Sequence, residues 1–194
     1  MSKVNLENGV LNFMDINKVD YFYHATGDDE NNLKKMLNII KSGHIFSKRK
    51  QGIIDNDLGF NGLDYISIAA WDDSININDR TFFLDSSFGG FIFGLPCFIL
   101  SNDIPAIKCG SIPADGSNSL VDRVSQYIDE WHVKDEILIE KVVGIALPDF
   151  SKYSIEDKLI IDEILRYANK YNWEIFVSNE KLVESVREKF SYKR

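Results

Sequence analysis

The sequence predicts an α+β fold with a largely antiparallel sheet at its core. Segments suited to strands outnumber those suited to helices, and the helical segments cluster towards the two ends of the chain. A length of 194 residues at 44% hydrophobic content suffices for one well-buried core. No internal repeat, low-complexity tract or linker interrupts it, so residues 1–194 are expected to form one domain.

Residues 1–18 are polar with scattered Leu, Val and Phe and read as a short helix or a loose arm on the body, so residues 1–20 are set apart as an N-terminal arm. Tyr21-Phe22-Tyr23-His24-Ala25-Thr26 is aromatic and suits a strand, which Gly27-Asp28-Asp29 ends with turn and cap chemistry. Leu33, Met36, Leu37 and Ile40 recur at helical spacing, predicting a helix from about Asp29 to Lys41 stopped at Ser42-Gly43. A turn into Ile45-Phe46-Ser47 follows, and Gly52 to Gly62 reads as a loop.

From Leu63 to Ala70, Tyr65, Ser67 and Ala69 alternate with Ile66 and Ile68, the pattern of a strand, and Asp72 to Asp79 is a polar loop. Thr81 to Leu84, Gly94 to Leu100 and Ile104 to Lys108 are β-rich, with Pro96 and Pro105 expected at strand starts or edges. Asp115 to Ser119 reads as a loop, and Leu120 to Ile128 has weak helical spacing. A strand pair around Glu130 and Val143 comes next. Residues 151–194 then read as helix, strand, helix: Ile155 to Lys170 capped by Ser154, with Leu159, Ile160, Ile164, Leu165 and Ala168 on its apolar face, Trp173 to Val177, and Glu180 to Phe190.

The net charge of −8, from 30 acidic and 22 basic residues, argues against general affinity for nucleic acid, which depends on clustered Lys and Arg. Lys48-Arg49-Lys50 is the one basic run away from the C-terminus and reads as a solvated loop. No signal peptide is visible in Met1 to Val10, and no run approaches the roughly 18 apolar residues of a membrane helix. A cytoplasmic product is expected, or an effector secreted without a cleaved signal. Cys97 and Cys109 read as free thiols, and the three histidines lack metal-ligand spacing, so no metal is expected.

The stretch from Asp129 to Ile139 is the most informative. Trp131, Val133, Ile137 and Ile139 take odd positions while Glu130, His132, Lys134 and Glu136 take even ones, as in a strand with one buried face, and Val142-Val143-Gly144-Ile145 follows. Tyr23-His24-Ala25-Thr26, a helix ending at Ser42-Gly43, Tyr65-Ile66-Ser67 and Glu130-Trp131-His132-Val133, in that order, resemble the ADP-ribosyltransferase superfamily over about Tyr21 to Leu147. The resemblance implies two packed, mainly antiparallel sheets with NAD, a co-substrate, in the cleft between them. By the same resemblance His24 would bond the adenosine ribose with Thr26 assisting. Tyr65 would stack on nicotinamide, Ser67 would support the acid, and Glu130 would be catalytic. Residues 117–129 would correspond to the target-recognition loop.

These residue types suit that chemistry. Breaking a nicotinamide–ribose bond leaves an oxocarbenium-like sugar that a fixed carboxylate stabilises, and a positioned carboxylate can also accept the nucleophile's proton. A neutral histidine offers a ribose diol both a donor and an acceptor. Glu136 shares the polar face and competes with Glu130 for the role, but six strand residues span about 20 Å, so the two cannot serve one ribose. Glu130 is preferred because the apolar strand follows it. Ile128, two residues before Glu130, departs from arginine-modifying members, which carry Glu or Gln there, and Ser67 is not part of a Ser-Thr-Ser triplet.

Arg49 and Arg80 are candidates for the pyrophosphate, with a surface role the simpler reading; His44 and His132 read as structural or exposed. The expected activity is NAD-dependent ADP-ribosyl transfer, a glycosyltransferase-class reaction, by a bacterial toxin or effector, onto a macromolecular target and in the first instance a protein. Alternatives are an inactive binding module of the same fold and a nucleic-acid-modifying member. Removal of an RNA 2′-phosphate would need further basic residues.

Overall fold

In the computed structural model the described residues are 5–7, 10–12, 19–27, 30–53, 63–72, 94–108, 130–149, 153–179 and 181–191. They form an α+β fold whose strand pairings are antiparallel with one exception. Its elements are β1 (Asn5–Glu7), β2 (Val10–Asn12), β3 (Val19–Ala25), α1 (Asn32–Ser42), β4 (His44–Phe46), β5 (Tyr65–Asp72), β6 (Cys97–Ser101) and β7 (Ala106–Lys108). There follow β8 (Glu130–Lys134), β9 (Glu136–Leu138), β10 (Val142–Leu147), α2 (Ile155–Tyr171), β11 (Glu174–Val177) and α3 (Leu182–Ser191).

Seven strands form one sheet in the order β11-β10-β6-β3-β5-β8-β7. β3 pairs with β6 all the way from Tyr21 opposite Ser101 to Ala25 opposite Cys97. Its pairing with β5 is shorter: Val19 opposite Asp72, a register shift, then Phe22 opposite Ala70 and Tyr23 opposite Ala69, where it stops. β5 continues alone with β8 down to Tyr65 opposite Lys134. The sheet is therefore two halves, β11-β10-β6-β3 and β5-β8-β7, joined by a seam that ends at Tyr23.

Alternation divides the sheet between two helical layers. Phe22, Ile66, Ile68, Phe98, Leu100, Trp131, Val133 and Ile145 meet Leu33, Met36 and Ile40 of α1 and Ile161, Ile164 and Ala168 of α2. Phe22 meets Trp131 edge to face at 5.4 Å, a contact adding about 0.5–1.5 kcal/mol to area burial. On the opposite face Tyr23, Cys97, Ile99 and Ala146 pack against Leu182, Val183 and Val186 of α3. The parallel pair β10 and β11 is bridged by α2, which Ser154 and Asp157 cap reciprocally.

Several expectations need correction. The start of the N-terminal arm is not helical: Asn5–Glu7 and Val10–Asn12 pair as an antiparallel hairpin. Residues 129–139 are not one strand. Asp135 takes a left-handed conformation at φ 63° and turns the chain out of the large sheet, so Glu136–Leu138 pairs with β4 instead. β8 and β10 lie in the same sheet but are not neighbours. Leu159 is exposed, and Ile161 takes the buried place on α2. α1 begins at Asn32, three residues after the expected start. The segments expected at 81–84 and 115–128 lie outside the described residues, as do Arg80, Cys109 and the loop at 117–129.

Candidate functional site

His24 and Ser67 meet where the seam of the sheet ends. His24 is the first residue of β3 past the last β3–β5 pair, and its ring Nδ1 donates to the backbone carbonyl of Ser67 at 3.0 Å. A carbonyl only accepts, so the proton is on Nδ1 and Nε2 is left as an acceptor. The side chain thus takes the place of a ladder hydrogen bond and holds the two halves together just where their backbones part. Burial pushes the His24 imidazole below the usual histidine range, against the opposing pull of the Ser67 carbonyl, and so favours the neutral ring.

Thr26, two residues on, is buried; its backbone N–H and its hydroxyl both donate to the Pro96 carbonyl, at 3.1 and 3.2 Å. That pair of bonds ties the end of β3 to the start of β6, and it spends the hydroxyl proton of Thr26 inside the fold. Gly27 then turns the chain at φ 100°, a conformation that suits glycine, with Lys35 Nζ of α1 only 3.5 Å from the point a Cβ would occupy.

Ser67 and Tyr65 belong to the other half. Ser67 is exposed and pairs with His132 of β8; Tyr65 is half-buried, pairs with Lys134, and has its ring 6.0 Å from that of His132 at an interplanar angle of 37°. Glu130 begins β8, its backbone opposite Ala69, which in turn lies opposite Tyr23. Adjacent strands are about 4.8 Å apart, so the backbones of Glu130 and of the residue preceding His24 are separated by roughly 10 Å, across β5. Measured from the row Tyr23–Ala69–Glu130, His24 is thus one residue and Ser67 two residues along its strand.

Glu136 is elsewhere. It sits on β9 opposite Phe46, with its carboxylate 3.5 Å from His44 Nδ1, and the His44 ring is stacked on Phe46 at 4.9 Å and 7°. Arg49 is bound to the Asp64 carboxylate and, through its backbone N–H, to the Leu63 carbonyl at 2.9 Å. Both engagements tie the turn after β4 to the start of β5.

Among the described residues no group of three or more His, Cys, Asp or Glu could hold a metal, and no helix is long and apolar enough to cross a membrane. Cys97 is buried and its thiol is pushed up to about 12 by desolvation, which removes it as a nucleophile. His132, read from the sequence as structural or exposed, is half-buried on β8 two residues after Glu130.

No protein-family model matches the chain, and no curated protein matches it. Among solved structures it is similar to Thermus sp. 2.9 DarT in complex with NAD+, at 10% identity and a TM-score of 0.44, over 82% of this chain and 96% of that one. The complex of the same DarT with ADP-ribosylated ssDNA matches at 8% identity and a TM-score of 0.43, over 81% of this chain and 93% of that one.

Proposed function

We infer that the protein is an NAD-dependent ADP-ribosyltransferase acting on a macromolecular target. The observation that supports this reading is the His24–Ser67 bond at the end of the β3–β5 seam, with the strand that begins at Glu130 next in order. NAD would supply an activated ribose carbon and a nicotinamide leaving group. In this reading the Nε2 acceptor of neutral His24 takes a ribose hydroxyl, and the exposed Ser67 hydroxyl and the Tyr65 ring line the nicotinamide side. Thr26 contributes by fixing the backbone under His24. The Glu130 carboxylate stabilises positive charge on the sugar, a role in which preorganised charge outweighs other contributions. Arg49 is already paired with Asp64 and serves the turn it anchors rather than the pyrophosphate.

The target we propose first is a protein. A second reading, a nucleic-acid target, is favoured by one observation: Lys48 and Lys50 are exposed on a turn tied to the start of β5, and Lys134 is exposed opposite Tyr65. Cations around a half-buried aromatic suit phosphates and a stacked base. The test is incubation of the full chain with labelled NAD and lysate. Nicotinamide release with label in the protein fraction is expected; label removed by nuclease would select the second reading. Glu130→Ala should abolish turnover with the melting transition intact, and retained turnover would remove the assignment.

A further inference from the structure

We propose that His132 is a further catalytic residue of this site, the group that takes the proton of the acceptor as it joins the ribose. The inference rests on the transferase reading above. His132 follows Glu130 by two positions on β8, one strand repeat of about 6.8 Å, and shares its parity, opposite to that of buried Trp131 and Val133. It pairs with Ser67, the residue whose carbonyl receives His24. Its half-buried ring lies 6.0 Å from that of Tyr65, and its Nδ1 is shielded from solvent, so proton exchange with a bound acceptor falls to Nε2.

The layer under α3 reaches Ala69, beyond which Ser67 is exposed, so this end of β5 and β8 is where a second substrate can approach. Two demands on one carboxylate conflict there. An acid that stabilises a cationic sugar must stay ionised, and an acid that accepts the incoming proton loses that charge. A separate base resolves the conflict, and imidazole is the side chain suited to it near neutral pH.

His24 cannot fill that place. Its Nδ1–H is committed to Ser67 and burial disfavours its charged form, which leaves it a hydrogen-bonding residue. In the step proposed, a lone pair of the acceptor O or N forms the bond to the anomeric carbon. The bond from that carbon to the nicotinamide nitrogen breaks, and its electron pair returns to the ring, which leaves neutral. The acceptor proton passes to His132 and from there to water.

The experiment compares the full chain with His132→Gln, His132→Phe and His132→Gly, using labelled NAD and lysate protein as acceptor. His132→Gln is expected to lower kcat for transfer by about 100-fold with KM for NAD within about twofold. His132→Phe, which keeps a ring beside Tyr65, should lose as much, and added imidazole should restore part of kcat to His132→Gly. Wild-type kcat in His132→Phe would overturn the proposal by showing that only the ring packing matters. So would a loss in His132→Gly that imidazole leaves untouched while NAD binding is kept. Absence of nicotinamide release from the wild-type chain is a different result, because it removes the transferase reading itself.

Discussion

The Nδ1 of His24 donates to the Ser67 carbonyl at 3.0 Å across 43 residues of sequence, and it does so one residue beyond the point where the two strands stop pairing. Desolvation of the ring favours the neutral imidazole. The lowered pKa fixes the sign of a stability effect. Below the ordinary value of 6.5 the unfolded chain binds a proton that the folded chain resists, so stability falls as pH drops from about 6.5 towards the lowered folded value. His24→Gln should flatten that part of the melting-temperature profile. An unchanged slope would mean that His24 is not held neutral.

Glu130 and Glu136 were six residues apart on one expected strand, and the fold assigns them to different sheets. Glu130→Gln is therefore expected to lower NAD turnover by about 10²–10⁴-fold, as for loss of a positioned carboxylate. Glu136→Gln should leave turnover unchanged, because that carboxylate faces His44. Nicotinamide release by the two variants decides it, and the reverse pattern would move the catalytic role to β9.

The reason this division was invisible in the sequence is physical. The left-handed turn at Asp135 redirects the chain without disturbing parity, so Trp131, Val133, Ile137 and Ile139 are all buried and the alternation runs unbroken through the turn. Periodicity reports which residues face inwards and is blind to which sheet they serve. Tyr23, His24 and the alternation around Tyr65 were legible because aromatic and β-branched residues mark strands locally. Their meeting was not, since nothing local encodes a contact between His24 and Ser67. Likewise Leu159 fits the helical period of α2 as well as Ile161 does, and only packing against α1 selects the latter.

Asp135 makes the turn testable. Its φ of 63° is tolerated by Asp and Gly and is an outlier for a β-branched residue; its N–H donates to the Asp64 carbonyl and its carbonyl accepts from Ser47, each at 2.8 Å. Asp135→Val should cost about 1–2 kcal/mol, or roughly 2–8 °C in Tm for a chain of this size. Asp135→Gly should stay within about 0.5 kcal/mol, since relief of the backbone offsets the added freedom of the unfolded chain. Equal losses in the two variants would mean that the carboxylate, and not the backbone conformation, secures the break between β8 and β9.

Gly144 governs the one parallel pairing among the described residues. It lies opposite Glu174, and a Cβ there would come 2.9 Å from the Glu174 carbonyl oxygen, 3.2 Å from Phe176 Cε2 and 3.4 Å from Ile99 Cδ1. The closest of these is backbone and cannot swing aside, so β10 and β11 must part locally to admit a methyl group. Gly144→Ala is expected to cost about 1–3 kcal/mol, the range for overpacking a filled core. In urea the midpoint should fall with the slope unchanged, because the surface exposed on unfolding stays the same. NAD turnover should persist in the variant under native conditions, since the β3–β5–β8 row lies on the far side of β6 from the disturbed pair. A loss of turnover in excess of the loss of folded protein would show that the two halves of the sheet are mechanically coupled through β6.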